Sequence, residues 1–141
     1  MVLFSKDRIL VPIDFSEASL KALEETLDFA EASTAVHAIH VLSPLEPTEP
    51  GIVWQAIDTD TRKENVQKAF LEKFSDKQEK VTFVVDVGKP GAQIIDYAEH
   101  HNIGLIVMPS RGRTGLSRFF MGSVTERVMR FAHCPVLVLR D

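Results

Sequence analysis

The sequence predicts an α/β fold, an open parallel β-sheet with helices on both faces. Three observations carry that prediction. Five short runs of branched apolar residues are spread along the 141-residue chain, and near-continuous runs of this kind mark strands buried on both faces. Between successive runs lie segments with helical periodicity or helix-opening signals. Glycine and proline fall at several of the joins. Such alternation specifies parallel strands linked by right-handed crossovers.

The first run, Arg8 to Ile13 (RILVPI), reads as a buried strand ending in Pro and Asp. From Ser16 to Ser33, Leu20, Leu23, Leu27 and Ala30 recur at three- and four-residue steps, the pattern of an amphipathic helix. Thr34 to Leu42 (TAVHAIHVL) is a second strand. Ser43 to Asp60, with Pro44, Pro47, Pro50 and Gly51, reads as a long loop. Thr61-Arg-Lys-Glu64 has the form of a capping box and opens a helix to about Lys77. Val81 to Val87 is the third strand, broken off by Gly88-Lys89-Pro90, where proline suits the first turn of a helix ending near His101. Ile103 to Met108 is the fourth strand. A second capping box, Ser123-Val-Thr-Glu126, starts a helix to about His133, and Pro135 to Arg140 is the fifth strand.

Composition narrows the function. Apolar content of 45% and charged content of 26% are those of an ordinary globular protein, and residues 1–141 fit one domain. A net charge of −4 disfavours a nucleic-acid partner. No apolar stretch reaches the roughly 20 residues of a membrane span, and the first residues lack signal-peptide organisation. A single cysteine, Cys134, fits a reducing cytoplasm and reads as a structural thiol. The five histidines form no metal motif, since His37 and His40 fall on opposite faces of one strand and His100 and His101 are adjacent.

The chemistry concentrates between Pro109 and Ser123, in PSRGRTGLSRFFMGS. Gly112, Gly115 and Gly122 are three of the seven glycines, Arg111, Arg113 and Arg118 supply positive charge, and no acid occurs from Ile103 to Thr125. A strand, a basic small-residue loop and a helix N-terminus make an anion site from free N–H groups and the helix dipole. Gly122 would let the backbone approach a phosphate, with Ser123 and Thr125 donating to its oxygens. The bland alternative makes Ser123 a cap. Asp14 has two readings as well: a cap for the first helix, shared with Ser16, or a carboxylate at a strand's carboxyl end that accepts from a ribose hydroxyl. Walker and dinucleotide glycine signatures are absent, as are the paired acids of a receiver domain. Phe119, Phe120, Met121 and Trp54 read either as inward packing or as a partner surface. No local nucleophile–base arrangement or carboxylate pair supports catalysis.

VPIDFSEAS near the start, HVL at the second strand end and IVMPSRGRTGLSRFFMGSVTERVMRFAHCPVLVLR at the close together resemble the universal stress protein family over nearly the whole chain. The resemblance implies a five-stranded parallel sheet of the adenine nucleotide alpha hydrolase type, order 3-2-1-4-5. It also implies a cytoplasmic homodimer through the fifth strands (Val136 to Leu139) and, where G-x-x-G, nine residues and G-[ST] occur, ATP binding. Carried over by position, Ile13 and Asp14 contact adenine and ribose, Val41 flanks the adenine, and Met108 approaches the nucleoside. Gly112 and Gly122 are the second and third motif glycines, Ser123 meets the phosphates, and Ser110, Arg111, Val124 and Thr125 contribute by adjacency. Pro109 replaces the first motif glycine, so it lacks an N–H there and cannot take positive φ, and AMP, ADP or a cyclic nucleotide becomes an alternative to ATP. Mg or Mn would be held through the phosphates. The implied role is a sensor or regulator with an unidentified protein partner; the other readings are a slow ATPase and a nucleotide-free interaction module.

Overall fold

Elements alternate along the chain as β1 (Arg8–Pro12), α1 (Glu17–Phe29), β2 (Ala35–Leu42), α2 (Thr59–Lys73), β3 (Val81–Val87), α3 (Pro90–His100), β4 (Leu105–Pro109), α4 (Ser123–Phe131) and β5 (Val136–Leu139). The computed structural model describes residues 5–44, 59–111 and 121–140. All five strands are parallel, in order β3-β2-β1-β4-β5. Chain order reverses between β1 and β4, the usual place for a ligand crevice in such sheets.

Side-chain alternation divides the core into two layers. Ile9 and Val11 of β1 pack on one face with Leu23 of α1, Phe70 of α2 and Leu105 of β4. Leu10 and Ile106 face the opposite way, against Ile94 of α3 and Val128 of α4. Helix α2 contributes one buried residue, Phe70. Its ring lies 4.1 Å from that of Phe83 with 5° between planes, and 5.0 Å from that of Phe74.

Element ends differ from the sequence expectation for identifiable local reasons. Helix α1 stops at Phe29 because Thr34 closes a turn, its Oγ1 accepting from Glu31 N–H at 3.1 Å and its own N–H donating to Glu31 O at 3.0 Å. That leaves Ala35 to begin β2. Helix α2 starts at Thr59, so Thr61 lies within its first turn and does not cap it. After Lys73, a turn in which Lys77 N–H donates to Phe74 O leads into a 3-10 turn, Gln78–Lys80. At the end of α3, Asn102 takes φ 51°, with Ile103 N–H on Ala98 O and Asn102 N–H on Glu99 O. This is a Schellman closure with asparagine in the left-handed position. Ile103, expected in β4, therefore belongs to the helix cap. Helix α4 ends at Phe131 with Ala132 already extended, ahead of Pro135.

At the amino ends of the strands, His37, Tyr97 and His101 form an aromatic cluster. His37 Nδ1 lies 2.7 Å from the Tyr97 hydroxyl, and the Tyr97 and His101 rings stack at 3.8 Å. Burial chiefly, then the charges of His101 and Arg8, hold His37 below its ordinary value of 6.5. The unfolded chain therefore takes up more protons than the fold as pH drops through that value, and stability declines toward acid. The melting temperature is expected to fall between pH 7 and 5, and His37→Gln to flatten part of the fall. Superimposable pH profiles for the two proteins would remove His37 from this role.

Candidate functional site

The carboxyl ends of β1, β2 and β4 and the N-termini of α3 and α4 surround one crevice of about 410 Å³. That is large enough for a mononucleotide-sized ligand. Its walls carry Ile13 and Asp14 after β1, Val41 at the end of β2, Met108 at the end of β4, Arg111 beyond it, and Gly122, Ser123, Val124 and Thr125 at the start of α4. Nine residues singled out from sequence thus meet in one place. Ser110 does not line the crevice, and Gly112 lies outside the described residues, as do Arg113, Gly115, Arg118, Phe119, Phe120 and Trp54.

The capping reading of Asp14 finds its counterpart in the turn that enters α1. Ser16 is the cap, accepting from Ser19 N–H at 3.2 Å. Asp14 supports that cap: its Oδ1 accepts from Ser16 N–H at 3.0 Å and from the Ser16 hydroxyl at 2.6 Å. A carboxylate has about four acceptor positions, so this bracing is compatible with a ligand contact. Phe15 between them takes φ 64°, rare for an aromatic residue. Its ring packs edge-on against His40 and Phe83.

His40 is a crevice residue that the sequence reading passed over. Its Nδ1 lies 2.7 Å from the Ile13 carbonyl, which only accepts, so Nδ1 carries the hydrogen. With Ile13 N–H donating to Ile39 O at 2.8 Å, both backbone groups of Ile13 are tied to β2. Period-two alternation placed His40 opposite His37, as found, but could not say that its ring lay at a strand end facing a cleft. Pro12, Ser19, Pro90 and Ile94 also line the crevice. Among them Pro90, at the opening of α3, was visible only as a helix start.

On the α4 side, the cap is Gly122, extended at φ −64° and ψ 150°, and not Ser123. Gly122 N–H donates to Ser110 O at 2.8 Å, while Ser110 N–H donates to Leu139 O at 3.0 Å. These two bonds clamp the stem of the glycine-rich loop to β5. Ser123, Val124 and Thr125 hold the first three helical positions, whose N–H groups have no partner inside a helix. Thr125 is buried and its hydroxyl donates to Pro109 O at 2.9 Å, so its proton is committed to the fold rather than to a ligand. What α4 offers an anion is consequently its backbone N–H groups, its dipole and the exposed Ser123 hydroxyl. Cys134 is half-buried and burial pushes its thiol up, in keeping with a structural role.

The sequence model of the universal stress protein family matches residues 6–140. Universal stress protein MJ0531 of Methanocaldococcus jannaschii is 37% identical over 141 residues, an alignment covering 94% of this chain and 81% of that protein. Universal stress protein UspA from Lactobacillus plantarum superposes with a TM-score of 0.81 at 26% identity, over 96% of this chain and 98% of its own. A universal stress protein solved in complex with cAMP superposes with a TM-score of 0.69 at 20% identity, over 96% and 99%.

Proposed function

The chain belongs to the universal stress protein family, and on that premise we propose that its crevice binds an adenine nucleotide. The observation that carries this reading is the meeting of two kinds of wall in one space. Ile13, Val41 and Met108 supply apolar surface for a base, and Asp14 an acceptor for ribose hydroxyls. Opposite them, the first turn of α4 supplies N–H groups that have no partner inside the helix and no capping side chain, for phosphate. The protein solved with cAMP shares the fold, which makes such a ligand compatible with the scaffold; the assignment here rests on the crevice.

The finer reading is ATP, ADP or AMP as the ligand, in a cytoplasmic stress-response sensor that works as a homodimer. Mg or Mn, when bound, would be held through the phosphates and water. No helix among the described residues is long and apolar enough to cross a membrane. Strand β5 is a sheet edge, with Leu137 46% exposed and Phe131 of the preceding helix 58% exposed. Such an edge is open to pairing with a second copy. Native mass spectrometry of freshly purified protein reads ligand and assembly together. The expected species is two protomers, each carrying an adenine nucleotide mass that is released on denaturation. Protomers that take up no adenine nucleotide at saturating concentration would end the binding proposal, and a monomer mass would end the dimer.

A further inference from the structure

We infer that two prolines split the sheet at the crevice floor and turn one strand carbonyl, that of Pro12, into an acceptor for the ligand. The inference rests on the binding proposal above. Ile13 N–H and Ala35 N–H bond between β1 and β2, so the odd residues of β1 point their polar groups at β2 and the even ones at β4. Ile106 and Ser110 donate to Pro135 and Leu139, so on β4 the even residues face β5 and the odd ones face β1. The two ladder bonds that would continue β1–β4 pairing are therefore Pro12 N to Val107 O and Pro109 N to Pro12 O. Neither nitrogen carries a hydrogen.

The observed register follows from this. Pairing of β1 with β2 runs to Pro12 and of β4 with β5 to Pro109, yet pairing of β1 with β4 stops at Leu10–Ile106. Pro12 and Pro109 both line the crevice. The carbonyls of Val107 and Pro12 thereby lose their ladder donors; Pro12 lines the crevice, whereas Val107 is buried in the core and does not line it. Buried carbonyls call for a donor. A nucleoside has two kinds of neutral donor to offer, the ribose hydroxyls and the exocyclic amine. The atom missing at Pro109 is thus a ladder donor aimed at β1, and its absence shapes recognition of the nucleoside end of the ligand.

Pro109→Ala restores the N–H that occupies the Pro12 carbonyl, and Pro12→Ala the one that meets Val107 O in the core. Affinities of native protein and both variants are measured for AMP, for 2′,3′-dideoxy-AMP, which lacks the ribose hydroxyl donors, and for IMP, in which the amine is replaced by an acceptor. Native protein is expected to bind one of the two analogues roughly three- to tenfold more weakly than AMP, the span of a neutral hydrogen bond; the analogue affected identifies the donor. In Pro109→Ala AMP should weaken to the level of that analogue, with the new amide protected from hydrogen exchange. Equal binding of all three ligands by native protein, or an unchanged ratio in Pro109→Ala, would overturn the inference while leaving nucleotide binding intact. Failure of native protein to bind AMP would instead remove the binding proposal, and this inference with it.

Discussion

Replacing Gly122 by valine is expected to weaken adenine nucleotide binding by at least about tenfold, roughly 1.4 kcal/mol. Gly122 is buried at the N-terminus of α4 and sits at φ −64° and ψ 150°, a conformation open to any residue. Loss of binding would therefore report crowding at the cradle and not backbone strain. Valine is also a poor cap, so the melting temperature of the variant is measured alongside. Ser123→Pro separates the two effects. Proline is favoured at the first helical position, and the extended Gly122 suits a following proline. The substitution deletes the Ser123 N–H and hydroxyl while keeping the helix. If a phosphate sits there, affinity should fall roughly tenfold or more, because hydrogen bonds to charged groups contribute about 1.5–3 kcal/mol. Native affinity in both variants would refute a phosphate at α4.

Truncating Phe70 should have the largest effect on the fold. Helix α2 is charged on most of its surface, and Phe70, 1% exposed, is its single buried residue. The ring is stacked between Phe83 of β3 and Phe74. Removing a buried aromatic ring costs about 3–5 kcal/mol, the lost transfer energy plus the cavity left behind. Phe70→Ala is expected to lose that much in urea denaturation and to raise hydrogen exchange selectively in α2, since little else anchors this helix. Phe29→Ala is the control, because Phe29 is 43% exposed and touched by Lys6 from the solvent side. A Phe70→Ala variant no less stable than Phe29→Ala would mean that α2 is held by something other than this stack.

Much of the molecule was legible from residue order. Continuous apolar runs identified β1 and β4 as buried strands, because strands covered on both faces need apolar residues at every position. The 3-2-1-4-5 order came from resemblance and not from periodicity, which carries no information on which strands are neighbours. Capping boxes misplaced the start of α2 and the cap of α4, whose first helical residue is Ser123 as read. The Ser/Thr-x-x-Glu pattern is local, and it does not reveal whether the backbone has already turned helical two residues earlier at Thr59 or takes its cap at Gly122. Asn102 was invisible as a helix stop because the left-handed closure depends on Ile103 N–H reaching back to Ala98.

At the site, sequence determined the residue types, namely a carboxylate after the first strand, apolar strand ends, and a glycine and a serine opening the last helix. Those follow from local chemistry, since backbone approach, capping and dipole are properties of short segments. Tertiary structure alone decided which atoms are available to a ligand. It spent the Thr125 hydroxyl on Pro109 O and the Gly122 N–H on Ser110 O, and it seated His40 under Ile13. It also aimed the hydrogen-less nitrogens of Pro12 and Pro109 across the gap between β1 and β4. Each of these outcomes pairs groups from different elements, and the direction of a strand's N–H and C=O groups has meaning only once its neighbours are in place.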